Sequence, residues 1–189
     1  MSEQSAKLMQ SVKDSIAATH KSVSEISDAI AETASASLNR AMQGTAQMRV
    51  TVSDVVRGSI EAVCDVGGDI DTAAEATMLG VASSMRKAGG DSVDAIRAAA
   101  RAVIEITKDL HGDLGKAAQG AIEGAATAAR KAGADMTESV AAAATAAVEA
   151  AEKIDATAAQ QVRDAVKVGA HSEKDAAAKS KSRRTAATS

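Results

Sequence analysis

Few side chains in this sequence are of the types that bind metals or act as nucleophiles. The chain has three histidines and one cysteine among its 189 residues. His20, His111 and His171 are far apart and share no metal-ligand spacing. Cys64 has no nearby histidine that could act as its base. The sequence therefore predicts no catalytic, cofactor-binding or metal-binding residues, and we expect a protein without a cofactor that is not an enzyme.

One loop, residues 65–71, superficially resembles a calcium-binding loop because it reads Asp-Val-Gly-Gly-Asp-Ile-Asp. It lacks the twelve-residue spacing of calcium ligands and the closing glutamate. A glycine-rich phosphate loop would need a flanking strand, and no segment has the pattern of one. Helix capping explains the loop better, since glycine commonly ends a helix and aspartate commonly begins the next.

This punctuation recurs every 22 residues along the chain, as expected of a tandem-repeat protein: Gly-Gly-Asp at 67–69 and 89–91, His-Gly-Asp at 111–113 and Gly-Ala-Asp at 133–135. Positions that we expect to kink or cap helices are Gly68, Asp69, Gly90, Asp91, Gly112, Asp113 and Asp135. The residue two positions before each of these aspartates is Gly67, Gly89, His111 or Gly133. We interpret His111 as a tolerated surface substitution.

Apolar residues within each repeat follow one another at steps of three and four. This spacing gives six helical turns in 22 residues, or about 3.67 residues per turn, and predicts an amphipathic helix with one apolar stripe. We expect the stripe to contact either an apolar surface or a partner helix. It consists of Met48, Val52, Val56, Val63, Val66, Ile70, Met78, Val81, Met85, Ile96, Val103, Leu110, Ile122, Met136, Val140 and Val148.

Two arrangements of an all-α fold satisfy this pattern. In the first, long helices continue through each Gly-Gly-Asp, where each glycine costs about 1 kcal/mol and bends the helix. In the second, helices of about 20 residues end at each glycine and fold back as antiparallel hairpins. We favour long, Gly-kinked helices because the stripe keeps its phase across each boundary, which hairpins do not require.

The repeat array comprises residues 45–157, and the segments before and after it have different patterns. Residues 1–44 carry a heptad seam that predicts a coiled-coil segment for self-association, with a helix folding back on the same chain as the alternative. Its oligomerisation residues are Met9, Val12, Ile16, Val23, Ile26 and Ile30. The stripe fades over residues 158–171, and residues 172–189 have the composition of a disordered basic tail.

Composition restricts the classes of function. Trp, Tyr, Phe and Pro are absent, so only aliphatic side chains and Met can form a core. The 22 basic and 25 acidic side chains give a net charge of −3, which provides no field for specific nucleic-acid binding beyond weak contact by the basic tail. No apolar run is long enough to span a bilayer, and the first residues lack the pattern of a signal peptide. We expect a cytoplasmic protein, or one peripheral on a membrane or granule.

The stretch from Gly120 to Gly133, with its weak apolar residues, Gly, Thr and edge basic pair, resembles eleven-residue amphipathic repeats of synucleins, perilipin-type droplet coat proteins and apolipoproteins. The Ala/Lys/Ser tail is similar to that of phasins, which coat polyester granules. The resemblance implies a non-enzymatic coat or scaffold on a lipid, membrane or storage-granule surface. The alternatives are a self-assembling coiled-coil, filament or bundle protein that forms a homo-oligomer, and a desiccation-protectant-like protein.

Overall fold

A computed structural model describes residues 3–17, 22–41, 45–65 and 67–169 of the chain, and these residues are α-helical with no strand among them. The helices are α1 (Glu3–Ala17), α2 (Val23–Ala41), α3 (Thr45–Asp65), α4 (Ile70–Lys87), α5 (Ser92–Asp109), α6 (Leu114–Ala132), α7 (Met136–Glu152) and α8 (residues 156–169). The all-α prediction is confirmed. None of the described helices is long and apolar enough to cross a membrane.

Helices α3 to α6 each end in the same double hydrogen bond, known as a Schellman motif. At the end of α4, the Gly89 amide donates to the Arg86 carbonyl and the Gly90 amide donates to the Met85 carbonyl, both at 3.0 Å. One residue in each of these turns has a positive φ. This left-handed conformation lets the two amides reach the last carbonyls of the helix and reverses the chain direction. These residues are Gly67, Gly89, His111 and Gly133, with φ of 76°, 76°, 55° and 66°.

Aspartates begin the next helices, as the sequence predicts. The Asp113 carboxylate accepts hydrogen bonds from the amides of residues 115 and 116 at 2.8 and 3.1 Å. Asp91 and Asp135 accept equivalent bonds at the starts of α5 and α7. Asp69 differs, because it stands at the N-cap of α4 in an extended conformation but its side chain makes no capping hydrogen bond.

These ends correct the favoured arrangement of long, kinked helices. The helix does not continue through Gly-Gly-Asp, because the left-handed residue and the aspartate cap interrupt it. Consecutive helices instead pack against each other, as in the hairpin alternative. The glycines expected as kinks also need correction: the left-handed residue is the one before Gly68, Gly90 and Gly112. Gly68 and Gly112 lack room for a side chain, since an added Cβ would lie 2.5 Å from Val63 Cγ1 and 2.9 Å from Thr107 Cγ2 respectively.

The helices form two layers. Each helix contacts its neighbours in sequence and also the helix two places further along the chain. The odd layer therefore consists of α1, α3, α5 and α7, and the even layer consists of α2, α4, α6 and α8. Helices within a layer run parallel, because the chain reverses its direction twice between one helix of a layer and the next. An ion pair joins Lys13 of α1 to Glu61 of α3 at 2.6 Å, and another joins Arg101 of α5 to Glu149 of α7 at 2.9 Å.

Glycines bring helices of the even layer into close contact. A Cβ at Gly120 of α6 would lie 2.2 Å from the Asp71 carbonyl oxygen of α4, and one at Gly124 would lie 2.6 Å from the Glu75 carbonyl oxygen. Since no real Cβ occupies such positions, only glycine allows the two backbones to approach this closely. The register between α4 and α6 is therefore determined by backbone contact at these two positions.

One core extends through the stack from Val12 of α1 to Val162 of α8. The predicted boundary at residue 44 therefore does not separate an independent N-terminal segment, because α1 and α2 bury side chains in the same core as the array. The predicted boundary at residue 157 falls inside the first turn of α8, which begins after the Asp155 cap. The predicted tail, residues 172–189, lies outside the described residues.

Candidate functional site

Most of the apolar stripe is covered by other helices of the same chain. Its fully buried members are Val52, Val56, Val63, Met78, Val81, Met85, Ile96, Val103 and Ile122. Half-buried members are Met48, Ile70, Met136, Val140 and Val148, while Leu110 is exposed and Val66 lies outside the described residues. The stripe was expected to contact either an apolar surface or a partner helix. In the described conformation it contacts helices of the same chain, and little of it is accessible to a surface.

The residues expected to mediate oligomerisation occupy similar positions. Val12, Ile16, Ile26 and Ile30 are buried in the shared core, and Met9 and Val23 are half-buried. Helices α1 and α2, which share the heptad seam, also pack against each other, and two parts of one continuous helix would not do so. This corrects the coiled-coil prediction in favour of its alternative, a helical segment folded back on the rest of the chain.

The residues with reactive side chains do not converge. Cys64 is exposed at the end of α3, as the repeat alignment predicts, and desolvation by its neighbours together with the Asp65 charge raises the pKa of its thiol. His111 occupies the left-handed turn before α6, while His20 and His171 lie outside the described residues. Within the described ranges, no group of three or more His, Cys, Asp or Glu side chains could hold a metal ion.

A shallow cleft of about 410 Å³ crosses the outer face of the odd layer between α3, α5 and α7. Its charged lining is balanced, with three arginines, Arg49, Arg97 and Arg101, and three acids, Asp94, Glu105 and Glu149. The ion pair between Arg101 and Glu149 spans it. Because opposite charges alternate across the cleft, it offers no strong attraction for a ligand of either sign.

The outer edge of α7 carries a strip of apolar side chains. Val140, Ala144 and Val148 are half-buried there, and Ala141 is exposed beside them. The side of α7 that faces the core consists of six alanines and Ser139. The helix therefore buries its alanines fully and its two valines only partly, although Val148 also packs against the core.

Sequence reasoning missed Ala141 and Ala144 as members of this strip, although one signal points to it. The segment from Ser139 to Val148 has no charged residue, so it contributes apolar or small side chains to every face of its helix. Such a helix is normally enclosed on all sides. In the described stack, α7 is the last helix of the odd layer.

Comparison with known proteins adds no family to these observations. The chain matches no protein-family model, and no curated protein is significantly similar to it. A functional assignment therefore has to come from the surfaces themselves.

Proposed function

We propose that this chain is a non-enzymatic structural protein that coats or scaffolds a lipid, membrane or storage-granule surface through its amphipathic helices. The observation that carries the proposal is the apolar outer edge of α7. Val140 and Val148 lie partly open on a helix whose buried side consists of alanines and one serine. A continuous apolar strip at the end of a stack is typical of a surface that binds something.

The attachment of α7 to the stack is weak enough for this helix to rearrange. Its core-facing side chains include six alanines, and each methyl group contributes about 0.8 kcal/mol on burial. By contrast, α5 buries Ile96, Val103, Ile104 and Ile106, each contributing about 1.5–3 kcal/mol. On an apolar surface α7 would lose the contacts of its alanines with the stack and gain contacts of both valines with the surface. We therefore expect α7 to be the first helix that binds the surface.

The remaining helices could follow by opening at their turns. The stripe buried in the stack is the same face that an amphipathic helix presents to lipid, so opening exchanges helix–helix contacts for helix–surface contacts. Gly67, Gly89 and Gly133 already have left-handed backbones with no atom near their missing Cβ, so these turns can change angle without steric hindrance. Because basic and acidic residues nearly balance, we expect neutral droplets or granules to bind as well as anionic membranes.

The test is flotation of the purified protein with neutral triacylglycerol droplets or phosphatidylcholine vesicles, followed by carbodiimide cross-linking. Lys13 and Glu61 are 2.6 Å apart in the stack and should form a zero-length cross-link in solution. A coat that opens should float with the lipid and lose this cross-link. Protein that never floats, at any lipid ratio, would refute the proposal.

Two substitutions assign the contact to α7. Val148→Glu should reduce droplet binding by about tenfold or more, since it replaces a contributing valine by a charge. Val50→Glu is the matched control, because Val50 is a 51% exposed valine on α3, a helix that contributes no residue to the strip. Equal loss of binding in both variants would show that the strip on α7 is not the contact.

Self-association is the second candidate, and it rests on a difference between the two ends of the stack. The exposed residues of α1 include Lys7, Gln10 and Asp14, whereas the outer edge of α7 is uncharged between residues 139 and 148. Two copies joined through α7 would cover both strips by a two-fold contact. Sedimentation without lipid separates the two functions, because a self-assembling protein would be large and helical in that condition. A desiccation protectant, the lesser alternative, would have little helix until dried.

A further inference from the structure

The helices of the odd layer are joined to one another by surface ion pairs. Each helix of this layer has one such pair with the next helix of the layer, at an N–O distance of 2.6–2.9 Å. The three pairs are Lys13–Glu61, Arg57–Asp109 and Arg101–Glu149. Their side chains are between 22% and 52% exposed, so water and salt screen the charges. Each pair therefore holds its two helices together only weakly.

The helices of the even layer are joined by glycines. A Cβ at Gly80 of α4 would lie 2.7 Å from Ile30 Cβ of α2. Gly120 and Gly124 bring α6 at least as close to α4. Gly169 of α8 lies against α6, where an added Cβ would be 3.4 Å from the nearest atom. These contacts involve no net charge, so salt does not weaken them, and separating the helices would expose closely packed surfaces.

The boundary between α5 and α7 is the most open one in the odd layer. Neither helix contains a glycine, and the cleft of about 410 Å³ lies between α3, α5 and α7. Ala102 of α5 and Ala142 of α7 line this cleft and are 4% and 5% exposed. The pair between Arg101 and Glu149 crosses it. Separating α5 from α7 would therefore break one exposed ion pair and uncover small alanine side chains.

The two alanine-rich helices, α6 and α7, allow a direct comparison of the layers. The even-layer helix α6 buries eleven residues, which include Leu114 and Ile122. The odd-layer helix α7 buries seven, which are six alanines and Ser139. Because burial stabilises in proportion to the apolar area removed from water, α6 is held in the stack more firmly than α7.

We propose that the stack opens on one side, where α5 and α7 of the odd layer separate at the cleft while α4 and α6 of the even layer stay in contact. The ion pair between Arg101 and Glu149 is the latch of this opening. Helix α6 packs against both α5 and α7, so it is the hinge about which they move apart. The use of such an opening by an apolar surface rests on the proposed coat function, but the opening itself is a property of the free protein.

Cysteine labelling of the full-length protein without lipid tests this opening. Cys64→Ser removes the exposed natural thiol, and Ala142→Cys or Ala82→Cys then places one buried thiol in the odd or the even layer. Ala142 of α7 and Ala82 of α4 are matched, since both are 5% exposed. The labelling rate, divided by that of the unfolded variant in the same salt, reports how often each site opens. Global unfolding labels both sites equally, so we expect position 142 to react faster than position 82.

Salt should act on one layer only. Raising the salt concentration from 0.1 to 1 M shortens the Debye length from about 10 to about 3 Å. Labelling at position 142 should become about two- to fivefold faster, as expected for the loss of one exposed ion pair. Labelling at position 82 should not change, because the contacts of its layer do not depend on charge.

One substitution identifies the latch. Glu149→Gln should accelerate labelling at position 142 about two- to fivefold in 0.1 M salt and remove most of the salt effect, because the ion pair is then already absent. An acid near a helix C-terminus is unfavourable, so loss of its charge alone would stabilise α7 and slow the labelling. Asp164→Asn is the matched control, because Asp164 pairs with Lys167 of its own helix, α8, and joins no two helices through that pair.

Three outcomes would overturn the proposal. Equal labelling at positions 142 and 82 in every condition would show that the stack opens only as a whole. No labelling at position 142, while the unfolded variant reacts, would show that the boundary stays closed. A salt effect that persists in Glu149→Gln would show that this ion pair is not the latch. Flotation is decided separately, since a protein that floats with equal labelling keeps the coat function, and one that never floats can still open at the cleft.

Discussion

The left-handed residues at the helix ends offer the most decisive test of the fold. Gly89 and Gly133 have φ of 76° and 66°, and an added Cβ would have no atom within 4 Å at either position. Any effect of alanine there is therefore a backbone effect. His111, with φ of 55°, adopts the same conformation at the equivalent position although it carries a side chain.

The expected magnitudes follow from this geometry. A left-handed conformation costs a non-glycine residue about 1–2 kcal/mol. Alanine also restricts the unfolded chain, which returns about 0.4–1 kcal/mol of stability. Gly89→Ala and Gly133→Ala should therefore each lower the free energy of unfolding by about 0.5–1 kcal/mol, and His111→Gly should raise it by a similar or smaller amount.

The assay is urea unfolding followed by circular dichroism, with the midpoint and slope fitted for each variant. The slope should not change, because none of the three substitutions alters the surface buried on folding. The double variant, Gly89→Ala with His111→Gly, should return close to the stability of the natural chain, since separated turns contribute independently.

A continuous, kinked helix predicts the opposite sign. In a helix interior alanine is more favourable than glycine by about 1 kcal/mol, so Gly89→Ala would stabilise the protein and His111→Gly would destabilise it. If both substitutions have these signs, the reversal of the chain at each Gly-Gly-Asp is refuted. The experiment therefore distinguishes the two arrangements without a structure of either variant.

Three further predictions concern caps, close packing and charge. Asp113→Ala should lower the free energy of unfolding by about 1 kcal/mol and Asp69→Ala by clearly less, because only Asp113 makes capping hydrogen bonds; urea midpoints of the two variants check this. Gly120→Ala should destabilise the stack by about 2 kcal/mol or more through overpacking against α4, and the coat proposal further predicts faster adsorption to droplets by this variant. The Glu61 carboxylate raises the pKa of Lys13 above its usual 10.5, so this pair stabilises the fold fully below pH 10.5 and the contribution is lost as pH rises through the raised pKa. When the pH is raised from 10 to 12, the Lys13→Met variant should lose less stability than the natural chain, as measured by thermal unfolding.

Two local features of the fold could be predicted from the sequence. The spacing of the apolar residues predicts helices, because a helix repeats its faces every 3.6 residues whatever it packs against. The positions of Asp91, Asp113 and Asp135 predict helix starts, because a cap is formed within three residues of the chain. Both features are determined by neighbours in sequence, so the sequence contains all the information they need.

Choosing between a rod and hairpins required tertiary structure. A stripe that keeps its phase across Gly-Gly-Asp is compatible with both, since the same side chains can face a distant surface or the next helix. The deciding contacts are long-range ones, such as the close approach of Gly120 to the Asp71 carbonyl. No local pattern indicates that contact, because its partners lie in α4 and α6 and a whole helix, α5, separates them in the chain.

The candidate sites divide in the same way. The uncharged run from Ser139 to Val148 is visible in the sequence, but only the stack places α7 at the end of the odd layer. Lys87 and Lys131 likewise stand in sequence as ordinary cations at helix ends. Their position around one cleft, together with Ser139 of α7, arises from packing of helices that are far apart along the chain. The sequence by itself determined where helices form and which aspartates can cap them, whereas the tertiary structure decided where the chain reverses and which faces are covered, because both depend on residues remote in sequence.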